Sequence, residues 1–243
     1  VDNQADLIID SLKVNRKIDD LMKTNNPNAA EEPSILWVGT SLSNEHLNNS
    51  ILQENTNTKV NKLKAFTISG GDGRRNKSLN IEDLVPKALA DKKYDLIVIE
   101  SGVNEISNMD IRKEGHVLRE EVRNKMEKLF LLAVKYSTDF PDLKVVLLNR
   151  LPRLDSTLRA DLGREADKAM AKLWEGCGGP DNIILESLNL QVDSPREKEE
   201  VFGRQGGKGA HGIHLRGPAG AKEFTYRAGC LLQRLLKRKG LPE

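Results

Sequence analysis

The sequence predicts an α/β protein, a three-layer α/β/α sandwich with about five parallel strands, and two patterns lead there. Apolar runs of strand length occupy residues 35–38, 63–68, 96–99, 145–148 and 183–185. Their near-continuous apolar character suits strands covered on both faces, as in a parallel sheet. Between them lie segments of helical spacing around 43–53, 81–91, 114–137 and 156–174, with a last one near 218–238. Alternation of this kind requires crossover helices packed against the sheet. Ligands of such sheets sit at the carboxyl ends of the strands, where polar residues cluster here.

The elements follow in chain order. Residues 5–23 space Leu7, Ile8, Leu12, Val14, Ile18, Leu21 and Met22 among charges, as an amphipathic helix does. Such a helix needs a partner surface, either its own domain or another copy of the chain. The absence of a strict a/d heptad favours its own domain over self-association. Residues 25–33, rich in Asn, Ala, Glu and Pro, read as a linker. The expected division is therefore a helix over 1–24, a linker over 25–33, an α/β domain over 34–238 and a tail over 239–243. Within the domain, the Gly-rich stretch 203–212 reads as a loop.

Composition narrows the function classes. A chain of 243 residues with 38% hydrophobic content can bury one sizeable core. The net charge of +2 gives no overall bias toward nucleic acid or an anionic membrane. The last 22 residues do carry six basic and two acidic side chains. We read them as a basic helix with a solvated outer face ending Lys237-Arg238-Lys239, nucleic-acid contact being the sharper alternative. Cys177 and Cys230 form neither a disulfide framework nor a zinc pattern, which fits a reducing, cytoplasmic setting. No run approaches the ~18 apolar residues of a membrane span, and no basic-then-apolar leader begins the chain, so it reads as soluble. Val1 as first residue also fits a processed product or a piece of a longer protein.

Four short segments carry the chemistry. Ser41, in Gly39-Thr40-Ser41-Leu42, follows the first apolar run and precedes a helix, whose N-terminus offers N–H groups to a developing oxyanion. As a plain alternative it caps that helix, a task Ser43 can also perform. Gly70, in Ser69-Gly70-Gly71-Asp72, follows the second run, and without a side chain its N–H can approach a substrate oxygen; a tight turn explains it equally well. Asn104, in Gly102-Val103-Asn104-Glu105, ends the third run, where its amide serves either as an oxyanion donor or as a partner for local backbone. His214, in His211-Gly212-Ile213-His214, lies in a loop before the last helix and is placed to take a serine proton. A metal pair of His211 and His214 lacks a third ligand nearby, so no metal or cofactor is expected.

In content, order and spacing these segments resemble the SGNH (GDSL-type) hydrolase family, over about residues 34–237. The resemblance implies a flavodoxin-like α/β/α fold and a serine esterase acting on a small ester. It implies Ser41 as nucleophile, His214 as base, and the Ser41 N–H, the Gly70 N–H and Asn104 as the oxyanion hole. Thr40 stands where the G-D-S-L motif has Asp, and Glu105 where G-x-N-D has Asp. His211 replaces the acid of D-x-x-H. A histidine cannot supply the negative charge that orients the base and stabilises imidazolium. A Ser41–His214 dyad oriented by a backbone carbonyl, an acid from elsewhere such as Asp193, and a domain without turnover are the three outcomes. A narrower resemblance, to the esterase domains of animal retrotransposon first-open-reading-frame proteins, rests on the helix before the domain. It adds self-association through residues 5–23. The alternative to an enzyme is a non-catalytic SGNH-like module that binds a partner, nucleic acid or its own copies through that helix or the basic C-terminus.

Overall fold

A computed structural model describes residues 33–56, 58–69, 79–100, 102–148, 157–188 and 217–237. Its strands are β1 (Ile35–Gly39), β2 (Val60–Lys64), β3 (Leu96–Glu100), β4 (Lys144–Leu148) and β5 (Ile183–Glu186). They form one sheet in the order β2-β1-β3-β4-β5, every neighbouring pair parallel. The helices among the described residues are α1 (Ser41–His46), α2 (Asn49–Thr56), α3 (Ile81–Asp91), α4 (Val103–Ser107), α5 (Gly115–Asp139), α6 (Thr157–Gly176) and α7 (Gly217–Lys237). The expected N-terminal helix over 5–23, most of the linker and the tail over 239–243 lie outside the described residues.

Side-chain alternation on the central strands builds two cores. Ile35 and Trp37 face α2 and α7, packing with Leu52, Phe224, Ala228 and Leu232. Leu36 and Val38 face the other way, toward Val85, Val122, Phe130 and Leu162 on α3, α5 and α6. Every residue of β1 and β3 is buried, because helices cover both faces. Trp37 meets Phe224 edge to face, with ring centroids 6.3 Å apart. The basic last helix is thus a core element. Its Arg227 pairs with Glu223 on the same helix, and Arg234 reaches Glu186 at the end of β5. No helix among the described residues is long and apolar enough to cross a membrane.

Two elements differ from the sequence expectation. The second strand is Val60–Lys64, upstream of the expected run 63–68. As an edge strand it leaves Asn61, Lys62 and Lys64 exposed, so no apolar run marks it; lysines there also discourage pairing with another chain. The apolar residues beyond it are buried in a different way: Thr67 forms an isolated parallel bridge with Asn80 at the start of α3. The helix expected over 43–53 is split in two. Asn48 accepts the N–H groups of Ser50 and Ile51, the capping work for which asparagine leaves a helix interior. Thr225 of α7 spans the break, accepting the Asn48 N–H and donating to the His46 carbonyl.

Candidate active site

The sheet order places the exits of β1, β2 and β3 side by side. The chain leaves β1 toward β2 on one flank, while β3 lies on the other; such a reversal opens a crevice at the carboxyl edge. Val38 is in register with Ile99, so Gly39 at the end of β1 lies level with Glu100 at the end of β3.

At the first exit, Gly39 ends β1, Thr40 follows and Ser41 opens α1. The turn is so tight that a Cβ on Gly39 would fall 1.6 Å from Ser43 Oγ and 2.8 Å from Ser43 Cβ. Glycine is therefore required by close approach. Asn44 locks the turn, its Nδ2 donating to the carbonyls of Gly39 at 3.1 Å and Thr40 at 2.7 Å. The backbone of Ser41 sits at the start of α1, at the first strand exit, while its side chain lies outside the described residues.

At the third exit, Gly102 caps α4 in the left-handed region, with φ 100° and ψ −20°, a conformation that glycine adopts without penalty. Glu105, two per cent exposed, accepts the Gly102 N–H at 2.9 Å on one oxygen and the Ile68 N–H at 2.8 Å on the other. One carboxyl group thereby fastens the exit of β2 to the exit of β3. Burial pushes its pKa up, while the backbone N–H groups of Glu105, Ile68 and Gly102 pull the other way. Asn104 makes a second tie, donating from Nδ2 to the Phe66 carbonyl at 2.7 Å. A primary amide has two N–H bonds, so this contact uses one of them.

A second carboxyl group lies beneath the first exit. Glu100, the last residue of β3 and four per cent exposed, accepts the Thr40 hydroxyl at 2.9 Å. Burial drives its pKa up, opposed chiefly by that bond.

Of the residues singled out in the sequence, Asn104 and the backbone of Ser41 stand at adjoining strand exits. Gly70, Asp193, His211 and His214 lie outside the described residues. Glu100, Asn44 and the linking work of Glu105 were missed. The signal for Glu100 was a carboxylate directly behind the apolar run Leu96-Ile97-Val98-Ile99, where a surface charge has no room.

No protein-family model and no curated protein matches the sequence. Solved structures do match. An aryl esterase from M. smegmatis aligns with a TM-score of 0.56 at 14% identity, covering 84% of this chain and 99% of that one. A carbohydrate acetylesterase from Sinorhizobium meliloti aligns at 0.55 and 16% identity, covering 85% and 99%. A GDSL-like lipase from Bacteroides thetaiotaomicron gives 0.51 and 12%, covering 93% and 98%. At such identities the likeness shows the fold: the five-stranded parallel α/β architecture here is that of GDSL-type esterases.

Proposed function

We propose that this protein is a serine esterase that hydrolyses short-chain, acetyl-type esters through an acyl-enzyme on Ser41. The observation that carries the reading is the fastening of the second and third strand exits to each other beside the first. Asn104 holds Phe66, Glu105 holds Ile68 and Gly102, and the first exit, beside them, presents Ser41 at a helix start. A preorganised rim of this kind keeps N–H donors aimed at one point without reorganisation during reaction.

In the proposed mechanism the Ser41 hydroxyl attacks the ester carbonyl and His214 takes its proton. The N–H groups of Ser41 and Gly70 and the remaining N–H of Asn104 receive the oxyanion. Collapse expels the alcohol, protonated by His214; water, deprotonated by the same imidazole, then releases the acid. A backbone carbonyl or Asp193 orients His214 in place of the carboxylate that His211 displaces. The acetyl preference takes its direction from the carbohydrate acetylesterase that shares the fold.

A second reading, an SGNH-like module that binds or self-associates without turnover and contacts nucleic acid, rests on His211 at the acid position. Hydrolysis of p-nitrophenyl acetate separates the two. An enzyme loses activity in Ser41→Ala, loses most of it in His214→Ala and gains rate in His211→Asp. A binding module shows the same slow rate in all of these proteins.

A further inference from the structure

We infer that Glu100 is the positioning residue of the turn that carries Ser41, its carboxyl group reaching from the end of β3 to hold Thr40. The inference deepens the esterase reading and rests on it for the role of Ser41.

The geometry is specific. Glu100 pairs in register with Leu148 on β4, yet its side chain works on the β1 side. Its Oε1 accepts the Thr40 hydroxyl, and its Oε2 lies 3.2 Å from where a Cβ on Gly39 would be. Thr40 shares a peptide with Ser41, so a fixed Thr40 fixes the peptide plane that delivers the Ser41 N–H. From the far side, Asn44 holds the Gly39 and Thr40 carbonyls. The turn is thus clamped from beneath by Glu100 and from the helix side by Asn44. Thr40 is also the position at which the G-D-S-L pattern has its acid; here a carboxyl group stands against that residue, supplied by a strand sixty residues further along the chain.

The surroundings say which form of the acid does this. The groups against it, Trp37, Thr40 and Ser43, are neutral. The Trp37 indole and the hydroxyl and backbone N–H of Ser43 favour the ionised form by their nearness, while the side-chain atoms Trp37 Nε1, Ser43 Oγ and Glu100 Oε2 fall outside hydrogen-bonding geometry. A carboxylate here would meet neutral donors only, with no cation among the groups against it. The neutral acid instead has an O–H to offer Ser43 Oγ after a small side-chain rotation. Burial thus favours the neutral form of Glu100, whose Oε1 accepts from Thr40.

Three variants test this: Glu100→Gln, Glu100→Leu and Thr40→Val. Each is read by kcat and KM on p-nitrophenyl acetate and by amide hydrogen exchange of residues 41–44. Glu100→Gln keeps the shape, the acceptor and a donor, so kcat stays within about threefold and exchange is unchanged. Thr40→Val removes one hydrogen bond at nearly constant volume; kcat falls about tenfold with KM unchanged, and exchange at 41–44 quickens by a similar factor while the strands stay protected. Glu100→Leu does the same or more. Wild-type kcat and exchange in Thr40→Val and Glu100→Leu would overturn the inference, as would Glu100→Gln behaving like Glu100→Leu. If Glu100→Leu loosens the whole sheet, the local Thr40→Val result decides. The exchange readout needs no activity, so a Ser41→Ala protein as active as wild type would remove the esterase reading while leaving the clamp to be judged separately.

Discussion

The Asn104 amide donates to the Phe66 carbonyl at 2.7 Å, joining the helix after β3 to the segment that leaves β2. The side chain proposed as an oxyanion donor is thus also a structural tie. Its position is set by a residue 38 places away in the chain rather than by its own loop.

Both tasks are lost together in Asn104→Ala. We expect kcat on p-nitrophenyl acetate to fall by about 10²–10³, the size of effect seen when an oxyanion donor is removed, with KM little changed. Stability should fall by about 1 kcal/mol for the Phe66 contact, measurable by urea denaturation. A variant with unchanged kcat and reduced stability would leave Asn104 as a tie alone.

The two buried glutamates should respond oppositely to the same substitution. Glu105 meets an N–H on each oxygen, so Glu105→Gln turns an amide N–H₂ toward a backbone N–H. That should cost about 1–3 kcal/mol of stability in urea denaturation. Glu100 meets a hydroxyl on one oxygen only, and Glu100→Gln should be tolerated.

Gly39→Ala drives a methyl group into Ser43, at 1.6 Å from its Oγ. The expected loss is about 1–3 kcal/mol from overpacking, together with most of the esterase activity. Combining it with Ser43→Gly, which removes the struck side chain, should recover part of the stability. A fully stable single variant would mean that the turn has room for a methyl group at position 39.

The pH dependence of stability has a definite sign. Burial raises the Glu100 pKa above its ordinary value of 4.5, and its neighbours Trp37, Thr40 and Ser43 are neutral. Above 4.5 the unfolded chain has released this proton while the native state still holds it. Stability from this group is therefore fully present below that pH and is lost as pH rises toward the native pKa. Urea denaturation of wild type against Glu100→Gln should show wild type losing stability relative to the variant as pH climbs from about 4.5. Glu105 contributes with the same sign in both proteins and cancels from the difference. A difference that is flat with pH would mean an unshifted Glu100.

The sheet was largely legible in the sequence. The strands β1, β3, β4 and β5 lie within one residue of the apolar runs, because a strand covered on both faces must be apolar throughout. The edge strand β2 escaped, since Val60 and Leu63 pack on opposite faces and the polar residues Asn61, Lys62 and Lys64 fill the rest. The break at Asn48 depends on Thr225 from the last helix, and α4 has only five residues, too few for a periodic signal. Ser41 and Asn104 were legible as strand-end residues. The tasks of Glu100 and Glu105 were not, because a partner 60 and 37 residues away defines them; the apolar run before Glu100 marks its burial but not its contact with Thr40.

The central claim is that Ser41 is a nucleophile, and covalent capture tests it most directly. A serine-directed organophosphorus reagent, followed by peptide mass analysis, should place one adduct on the peptide containing Ser41. Labelling should be slowed in His214→Ala and absent in Ser41→Ala. No adduct at Ser41 under conditions that label another serine esterase, or equal labelling of Ser41→Ala, would contradict the account.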